Sequence, residues 1–204
     1  MPSRSRSRSE QRALLALSLL LAAAASAQDA GFVAGVFEPP RAAPELGLRG
    51  SDGSDLLLRR YRGKVVIVGF GFSSCPAICP TTLATLAGAR KKLGADAERL
   101  QVVYVTVDPE RDDAARLREF LGRFDPTFVG GTGTAEQLAA VRESYGVVVG
   151  RASDSSFSHS SFTYLIDREG HLRALMPYGH SSDDYAHDVR LLLQGGGRAA
   201  APQP

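Results

Sequence analysis

Cysteine is scarce in this sequence, and the scarcity limits what the chain can be. Only two cysteines occur among 204 residues, so a small domain held together by several disulfides is excluded. A chain of this length is instead long enough to bury one hydrophobic core of ordinary size. The two cysteines, Cys75 and Cys79, therefore need an explanation of their own.

The N-terminal hydrophobic run is too short for a conventional membrane helix. Ala13–Ala25 contains thirteen uncharged residues, whereas a helix needs about 20 apolar residues to cross a bilayer. The run follows four arginines and is closed by Ala25-Ser26-Ala27, which is the pattern of a secretory signal with a small-residue cleavage site. We expect residues 1–27 to be a signal peptide and the mature protein to be periplasmic. A retained membrane anchor facing the periplasm is the alternative.

Excess positive charge is also missing once that segment is set aside. The whole chain has a formal net charge of +2, and residues 1–27 hold four arginines and one glutamate, so the mature part carries −1. A nucleic-acid-binding protein needs Lys and Arg clustered on one face. The charge distribution therefore excludes nucleic acid as the partner.

What the chain does contain is an alternation of strand and helix patterns. Residues 28–44 are rich in Gly, Ala and Pro and predict an extended leader, with ordered structure beginning near Glu45. The residues around Gly50–Gly53 predict a hairpin. The segments "KVVIVGFGF" and "LQVVYVTVD" are typical of strands buried on both faces, and the residues between them predict a helix that ends at Gly94. This order of elements makes a right-handed crossover with parallel strands.

The second half predicts two further amphipathic helices with a short strand between them, a hairpin around Arg168–Gly170, and a final helix from about Asp183 to Leu193. We therefore predict an α/β domain over residues 45–194. It has a mostly parallel central sheet, an antiparallel hairpin at one side, and helices on both faces. Residues 195–204 predict a disordered tail. In open α/β sheets, ligands gather where strands pass into helices, and the cysteines lie at such a point.

The cysteine motif is "FGFSSCPAICPTTL", residues 70–83. Pro80 suits the first position of a helix, so Cys79 is predicted to be the N-cap. Unpaired backbone N–H groups and the helix dipole favour a thiolate there, so we expect Cys79 to be unusually acidic. Cys75 lies in the preceding loop, from which its side chain can turn toward Cys79.

Three kinds of site fit such a pair. A structural disulfide would close a very short loop and would therefore remove little entropy from the unfolded chain. A thiol–disulfide oxidoreductase usually has two residues between its cysteines, whereas this pair has three, and a related peroxidase would need a threonine where Pro76 or Phe72 stands. Two thiolates on one loop also suit a soft cation, Cu(I) above all. Such a cation requires a third ligand.

Four histidines are available to supply that ligand. His171, His180 and His187 are predicted to lie on the surface, beside a turn, beside a helix cap and within the last helix. His159 differs because it precedes the strand "FTYLID" in a serine-rich loop. If that strand lies beside the one that ends at Phe72, the loop passes over the cysteines.

Several motifs together resemble those of the SCO/SenC family of copper-binding, thioredoxin-like proteins. The motifs are "GKVVIVGFGFSSCPAICPTTL", "VTVDPERD", "FVGGTGT", "YGV" and "HSSFTYLIDREGHL", in this order. The likeness runs from about Glu45 to Leu193. The resemblance implies a thioredoxin-like fold and copper, as Cu(I) or Cu(II), held by Cys75, Cys79 and His159.

The resemblance also implies a role in assembling the binuclear copper centre of cytochrome c oxidase. The partner would be a copper-accepting oxidase subunit or another copper carrier, contacted transiently, and no small-molecule substrate is implied. Cys75 and Cys79 would then be a redox pair in a copper chaperone. The alternative from a different class is a thiol–disulfide oxidoreductase that acts on partner cysteines without carrying metal.

Three further positions are singled out by the same resemblance. Asp108, in "VTVDPERD", falls on a family position, where it either shapes the turn with Pro109 or orients a copper ligand. Ala77 and Ser158 stand where the family often has an aspartate. The resemblance therefore implies a site with less negative charge around the same three ligands.

Overall fold

Ten strands and four helices make up the computed structural model, which describes residues 31–151, 157–159 and 161–195, with the backbone alone for 151 and 157–159. The strands are β1 Gly35–Ala42, β2 Leu48–Gly50, β3 Asp55–Leu56, β4 Val65–Gly71, β5 Leu100–Thr106, β6 Val129–Thr132, β7 Val149–Arg151, β8 Phe157–His159, β9 Phe162–Ile166 and β10 His171–Pro177. The helices are α1 Ile78–Leu93, α2 Ala114–Gly122, α3 Ala135–Tyr145 and α4 Ser182–Leu193. Short 3-10 turns follow β3 and α1.

Eight of the strands form one sheet in the order β1-β10-β9-β4-β5-β6-β2-β3, and β7 pairs with β8 in a separate antiparallel ladder. Every residue of β4 and β5 is buried, so the centre of the sheet is covered on both faces, as the two apolar runs predicted. Helix α1 packs against α4, and α2 packs against β6. The α/β fold is therefore confirmed.

The sheet is more mixed than predicted. Parallel pairing joins only β4 with β5 and β5 with β6 among the described strands. The remaining pairs are antiparallel, because β9 and β10 form the predicted hairpin and β2 with β3 form the other. Parallel neighbours need a crossover of a dozen or more residues, and the two parallel pairs, β4 with β5 and β5 with β6, are each connected through a helix, α1 and α2.

The N-terminal segment is extended, but the expectation that ordered structure begins near Glu45 is wrong. Strand β1 pairs antiparallel with β10 at the edge of the sheet. The carboxylate of Asp188, on α4, accepts hydrogen bonds of 2.9 Å from the backbone N–H groups of both Val33 and Ala34. Proline is tolerated in β1 because an edge strand has N–H groups that need no partner strand, so Pro39 and Pro40 did not exclude a strand.

Two predictions fall outside the described residues. The signal peptide was placed at residues 1–27, and the disordered tail at 195–204 overlaps the described part only at Gly195. From Phe32 onward, the described residues belong to one compact unit. Within the described part of the chain, no helix is long and apolar enough to cross a membrane.

Candidate metal centre

The two cysteines lie at the corner between β4 and α1. Cys75 is in the connecting loop, where its N–H donates to the carbonyl of Phe72 at 3.3 Å. Cys79 is the second residue of α1, and Ala77 is the N-cap, so the prediction that Cys79 caps the helix is wrong. The first-turn N–H groups of a helix have no partner within the helix. Proline is therefore acceptable at the third position, where Pro80 stands, as well as at the first.

The backbone N–H groups at the start of α1 donate hydrogen bonds to Cys75, whereas the sequence pattern predicted that they would face Cys79. Partial burial acts to raise its pKa, but hydrogen bonds to its sulfur from the backbone N–H groups of Cys79 and Ala77, from the Cys79 side chain and from the N–H of Ile78 lower it more. The net effect is a lowered pKa for Cys75, as expected for a thiol at a helix N-terminus. The acidic cysteine is therefore the outer one.

Cys79 has the opposite character. Only 1% of it is exposed, and burial raises the pKa of its thiol to about 12, although the Tyr104 hydroxyl and the Phe72 N–H donate hydrogen bonds to the sulfur. The prediction that Cys79 is unusually acidic is wrong. Its side chain is buried in the core, and the loss of hydration outweighs the hydrogen bonds that favour the thiolate.

Both cysteines are reduced in the structure, and their side chains are hydrogen-bonded to each other. Cys75 lies outside α1, so the pair is not restricted to helical i, i+4 geometry. Two soft sulfur donors that meet at one corner can form a disulfide, or they can bind a soft cation such as Cu(I) from the same side. The chemistry of the donor set thus fits copper.

The segment that carries His159 ends beside this corner. Strand β9 is the antiparallel neighbour of β4, with Thr163 opposite Gly69. The strand that follows His159 therefore lies beside the strand that leads to the cysteines, as the argument for His159 required. Ser161 and Phe162 line the same small pocket as Cys79, and the backbone of His159, the last residue of β8, is opposite Val149. His159 is thus two residues from the pocket wall, while its side chain lies outside the described atoms.

Among the side chains that are described, no three His, Cys, Asp or Glu residues lie together as a metal site. Each of the other histidines is next to an aspartate. The Nδ1-to-carboxylate distances are 3.5 Å from His171 to Asp167, 3.5 Å from His180 to Asp184, and 3.0 Å from His187 to Asp188. If the two cysteines bind a metal ion, its third protein ligand therefore has to be a residue whose side chain is not among those described, as is the case for His159.

Asp108 is buried at the end of β5. Its carbonyl accepts hydrogen bonds from the N–H groups of Arg111 and Asp112, and its carboxylate is 3.2 Å from the guanidinium of Arg111. These contacts are those of a residue that shapes a turn. Its role in orienting a copper ligand stays a prediction.

Asp112 was missed by the sequence reasoning. It is fully buried, and its carboxylate accepts hydrogen bonds from the N–H and hydroxyl of Ser73, at 2.9 and 2.5 Å, and from the hydroxyl of Thr106 at 2.8 Å. It thereby attaches the loop that leads to Cys75 to the end of β5. The sequence did offer a signal for this residue. Asp112 is the second aspartate of the motif "VTVDPERD", and it closely follows a strand that was predicted to be buried.

Comparison with known proteins adds to this geometry. The family model described as SCO1/SenC matches residues 39–194. A SCO2-like protein of Rickettsia felis is 36% identical over 115 residues, which are 53% of this chain and 56% of the relative. The chain thus spans about half the length of the curated relatives it matches first.

Two solved structures with copper bound have the same fold. Arabidopsis thaliana ScoI is 30% identical, with a TM-score of 0.70 over 75% of this chain and 98% of that one. Yeast Sco1 is 28% identical, with a TM-score of 0.68 over 80% of this chain and 92% of that one. The thioredoxin-like fold implied by the sequence resemblance is confirmed by these likenesses.

Proposed function

This chain belongs to the SCO1/SenC family, and we propose that it is an exported copper-binding protein that assists assembly of the binuclear copper centre of cytochrome c oxidase. The observation that carries the proposal is the pair of reduced, hydrogen-bonded cysteines at the corner between β4 and α1. The copper-bound structures of the Arabidopsis and yeast relatives support it.

Copper is the cargo in this proposal, and Cys75, Cys79 and His159 are its ligands. Two thiolates and a neutral imidazole make a three-coordinate site that suits Cu(I). Cys75 is the more exposed of the two sulfurs and has the lowered pKa, so it is the first sulfur that arriving copper meets. Binding at Cys79 requires its thiol to lose a proton, which the metal promotes because a coordinating thiol is deprotonated.

The experiment is metal analysis of the reduced protein after exposure to Cu(I), with single variants compared at equal concentration. One copper per chain is expected for the parent. Cys75→Ser and Cys79→Ser abolish tight binding, and His159→Ala weakens it. His171→Ala is the matched control, because His171 is half-exposed on the β9–β10 hairpin beside Asp167. Equal copper retention by the parent and all three ligand variants would refute the assignment.

The acceptor is proposed to be an oxidase subunit or another copper carrier with cysteine ligands. Ala77 and Ser158 stand where the family often has an aspartate, so recognition of the partner is expected to depend less on acidic side chains of this chain. Mixing the copper-loaded protein with a soluble copper-accepting oxidase domain, and measuring copper on each after separation, tests the delivery step. Retention of all copper by the donor would contradict it.

Export is proposed from residues 1–27. Mass spectrometry of the protein released from the periplasm should show an N-terminus at Gln28. A species that retains Met1 in washed membranes would support the anchored alternative instead.

A second function, thiol–disulfide exchange with partner cysteines, is favoured by the opposite pKa shifts of Cys75 and Cys79. The Cys75 thiolate attacks a partner disulfide, which forms a mixed disulfide and releases one partner thiolate. Cys79 then passes its proton to that thiolate and attacks the Cys75 sulfur, which forms the Cys75–Cys79 disulfide and releases the second partner thiolate. His159→Ala separates the two functions, because it should weaken copper binding and leave this exchange intact.

A further inference from the structure

A buried tyrosine lies directly beneath the cysteine corner. Tyr104 is on β5, opposite Gly69 of β4 in the parallel ladder, and only 2% of it is exposed. Its hydroxyl donates a hydrogen bond to the sulfur of Cys79. Tyr104 is therefore the contact between the centre of the sheet and the inner cysteine.

Two glycines of β4 make room for that side chain. A Cβ placed on Gly69 would be 3.0 Å from ring atom Cδ2 of Tyr104. A Cβ placed on Gly71 would be 1.9 Å from the Tyr104 hydroxyl and 2.8 Å from the Cys79 sulfur. The tyrosine ring thus crosses β4 over the two glycines, and its hydroxyl meets the sulfur above Gly71. Glycine weakens a buried strand, so its presence there often marks a close approach by another group.

The direction of the hydrogen bond follows from burial. A buried tyrosine hydroxyl needs a polar partner, and the Tyr104 hydroxyl and the Cys79 sulfur lie together above Gly71, so the hydroxyl donates to the sulfur. Two other tyrosine hydroxyls in the core have different hydrogen-bond partners. Tyr164 donates to the carbonyl of Tyr145 at 2.8 Å, and Tyr185 is hydrogen-bonded to Thr163 at 2.8 Å.

We propose that Tyr104 is a positioning residue for Cys79, which holds the inner sulfur toward the corner and stabilises its reduced and copper-bound forms by a hydrogen bond. The inference rests on the proposed function only in that Cys79 is taken to react, as a copper ligand or as a redox partner. Sulfur in a disulfide is a poorer hydrogen-bond acceptor than the sulfur of a thiol, and much poorer than that of a copper-bound thiolate. The hydroxyl therefore favours the dithiol over the disulfide, and it favours bound copper most of all because charge-assisted hydrogen bonds are the stronger ones.

The test is Tyr104→Phe, which keeps the ring over the two glycines and removes only the hydroxyl. Tyr164→Phe is the matched control, because it removes a buried hydroxyl that donates to a backbone carbonyl. Both variants and the parent are equilibrated with glutathione, in which the protein dithiol and oxidised glutathione convert to the protein disulfide and two reduced glutathiones. Tyr104→Phe should shift this equilibrium about fivefold toward the disulfide, whereas Tyr164→Phe should not shift it.

Two copper measurements complete the test. Cu(I) affinity, from competition with a chelator, should fall about tenfold in Tyr104→Phe, since a hydrogen bond to a charged group is lost. The thiolate-to-copper charge-transfer band of the Cu(II) complex should move to longer wavelength, because the sulfur orbitals rise in energy without the donor. A purely structural tyrosine would leave the band in place.

The outcomes separate this inference from the proposed function. If Tyr104→Phe leaves the glutathione equilibrium unchanged, or if Tyr164→Phe changes it equally, the role of Tyr104 is overturned. If the parent fails to bind copper while Tyr104→Phe still shifts the glutathione equilibrium, the copper function fails and the positioning role stands.

Discussion

The outer and inner halves of the cysteine corner place the same residue type in opposite environments. The outer half is the loop of residues 72–77 with Cys75, which faces backbone N–H groups at the start of α1. The inner half comprises Gly71, Cys79 and Tyr104, all packed within the core. The pKa of Cys75 is lowered, whereas the pKa of Cys79 is raised to about 12. Proximity to a helix terminus is therefore not sufficient to make a cysteine acidic; the side chain must also keep its hydration.

The halves also differ in what positions them. The outer half is attached to β5 through the carboxylate of Asp112, which accepts hydrogen bonds from Ser73. The inner half is tightly packed, since the hydroxyl of Tyr104 and the sulfur of Cys79 fill the space above Gly71. Removal of the Asp112 carboxylate should therefore affect the outer half, whereas added volume at Gly71 should affect the inner half.

The largest expected difference is in alkylation rate. At pH 8, a thiol with a pKa of about 12 is one part in about 10,000 thiolate, whereas an ordinary cysteine, with a pKa of about 8.5, is about one-quarter thiolate, and the lowered pKa of Cys75 increases that fraction. Iodoacetamide should therefore modify Cys75 at least about 1,000-fold faster than Cys79, and the Cys75 rate should fall as the pH is lowered through its pKa. Peptide mapping by mass spectrometry after timed quenching measures both rates. Equal rates would abolish the distinction between the halves.

Gly71→Ala should give the next largest effect, a loss of about 3 kcal/mol in the free energy of unfolding. The new methyl group would be 1.9 Å from the Tyr104 hydroxyl and 2.8 Å from the Cys79 sulfur, and overpacking of a buried site costs about 1–3 kcal/mol or more. Gly122→Ala is the control, since a Cβ there meets no atom within 4 Å. Urea denaturation of the reduced proteins measures both, and similar midpoints would show that the inner half is loosely packed.

Asp112→Ala should destabilise the fold by about 2 kcal/mol, because the part-buried N–H of Ser73 and the buried hydroxyl of Thr106 lose their acceptor. The alkylation rate of Cys75 should change as well, since its loop is released from β5. Asp113→Ala, which removes the exposed N-cap of α2, should cost about 1 kcal/mol and leave the Cys75 rate unaltered. A Cys75 rate that is the same in both variants would mean that Asp112 does not position the outer half.

The smallest expected effect is the coupling between the halves. The Cys79 side chain donates a hydrogen bond that lowers the pKa of Cys75, so Cys79→Ala should move the pH midpoint of Cys75 alkylation upward. Cys79→Ser should move it less, because a hydroxyl can still donate. The pH profile of the alkylation rate gives the midpoints. Identical profiles for the parent and both variants would show that the sulfurs do not interact.

Most of the elements could be predicted from the sequence, because their patterns are local. The buried strands β4 and β5, the hairpins and the four helices follow from apolar periodicity and turn residues. Strand β1 was not predicted, because its two prolines suggested a segment outside the sheet, and only pairing with β10 and the anchor on Asp188 keep it in place.

The candidate site was predictable in composition but not in detail. The cysteine pair, its place between a strand and a helix, and the family resemblance all come from the order of residues along the chain. The role of Asp112 could not be read in the same way, because its partners Ser73 and Thr106 lie on different segments. The assignment of the acidic cysteine failed for a related reason, since the helix start alone does not say which sulfur faces solvent.

The sequence by itself determined the α/β architecture, the cysteine pair and the candidate third ligand His159, since each depends on residue type and spacing. Only the tertiary structure decided that Cys79 is fully buried and Cys75 only partly, and that a tyrosine from the neighbouring strand reaches the inner sulfur over Gly69 and Gly71. The physical reason is that the pKa and orientation of a thiol depend on hydration and on hydrogen-bond partners. Those partners are brought together by the parallel pairing of β4 with β5, across more than thirty residues of chain.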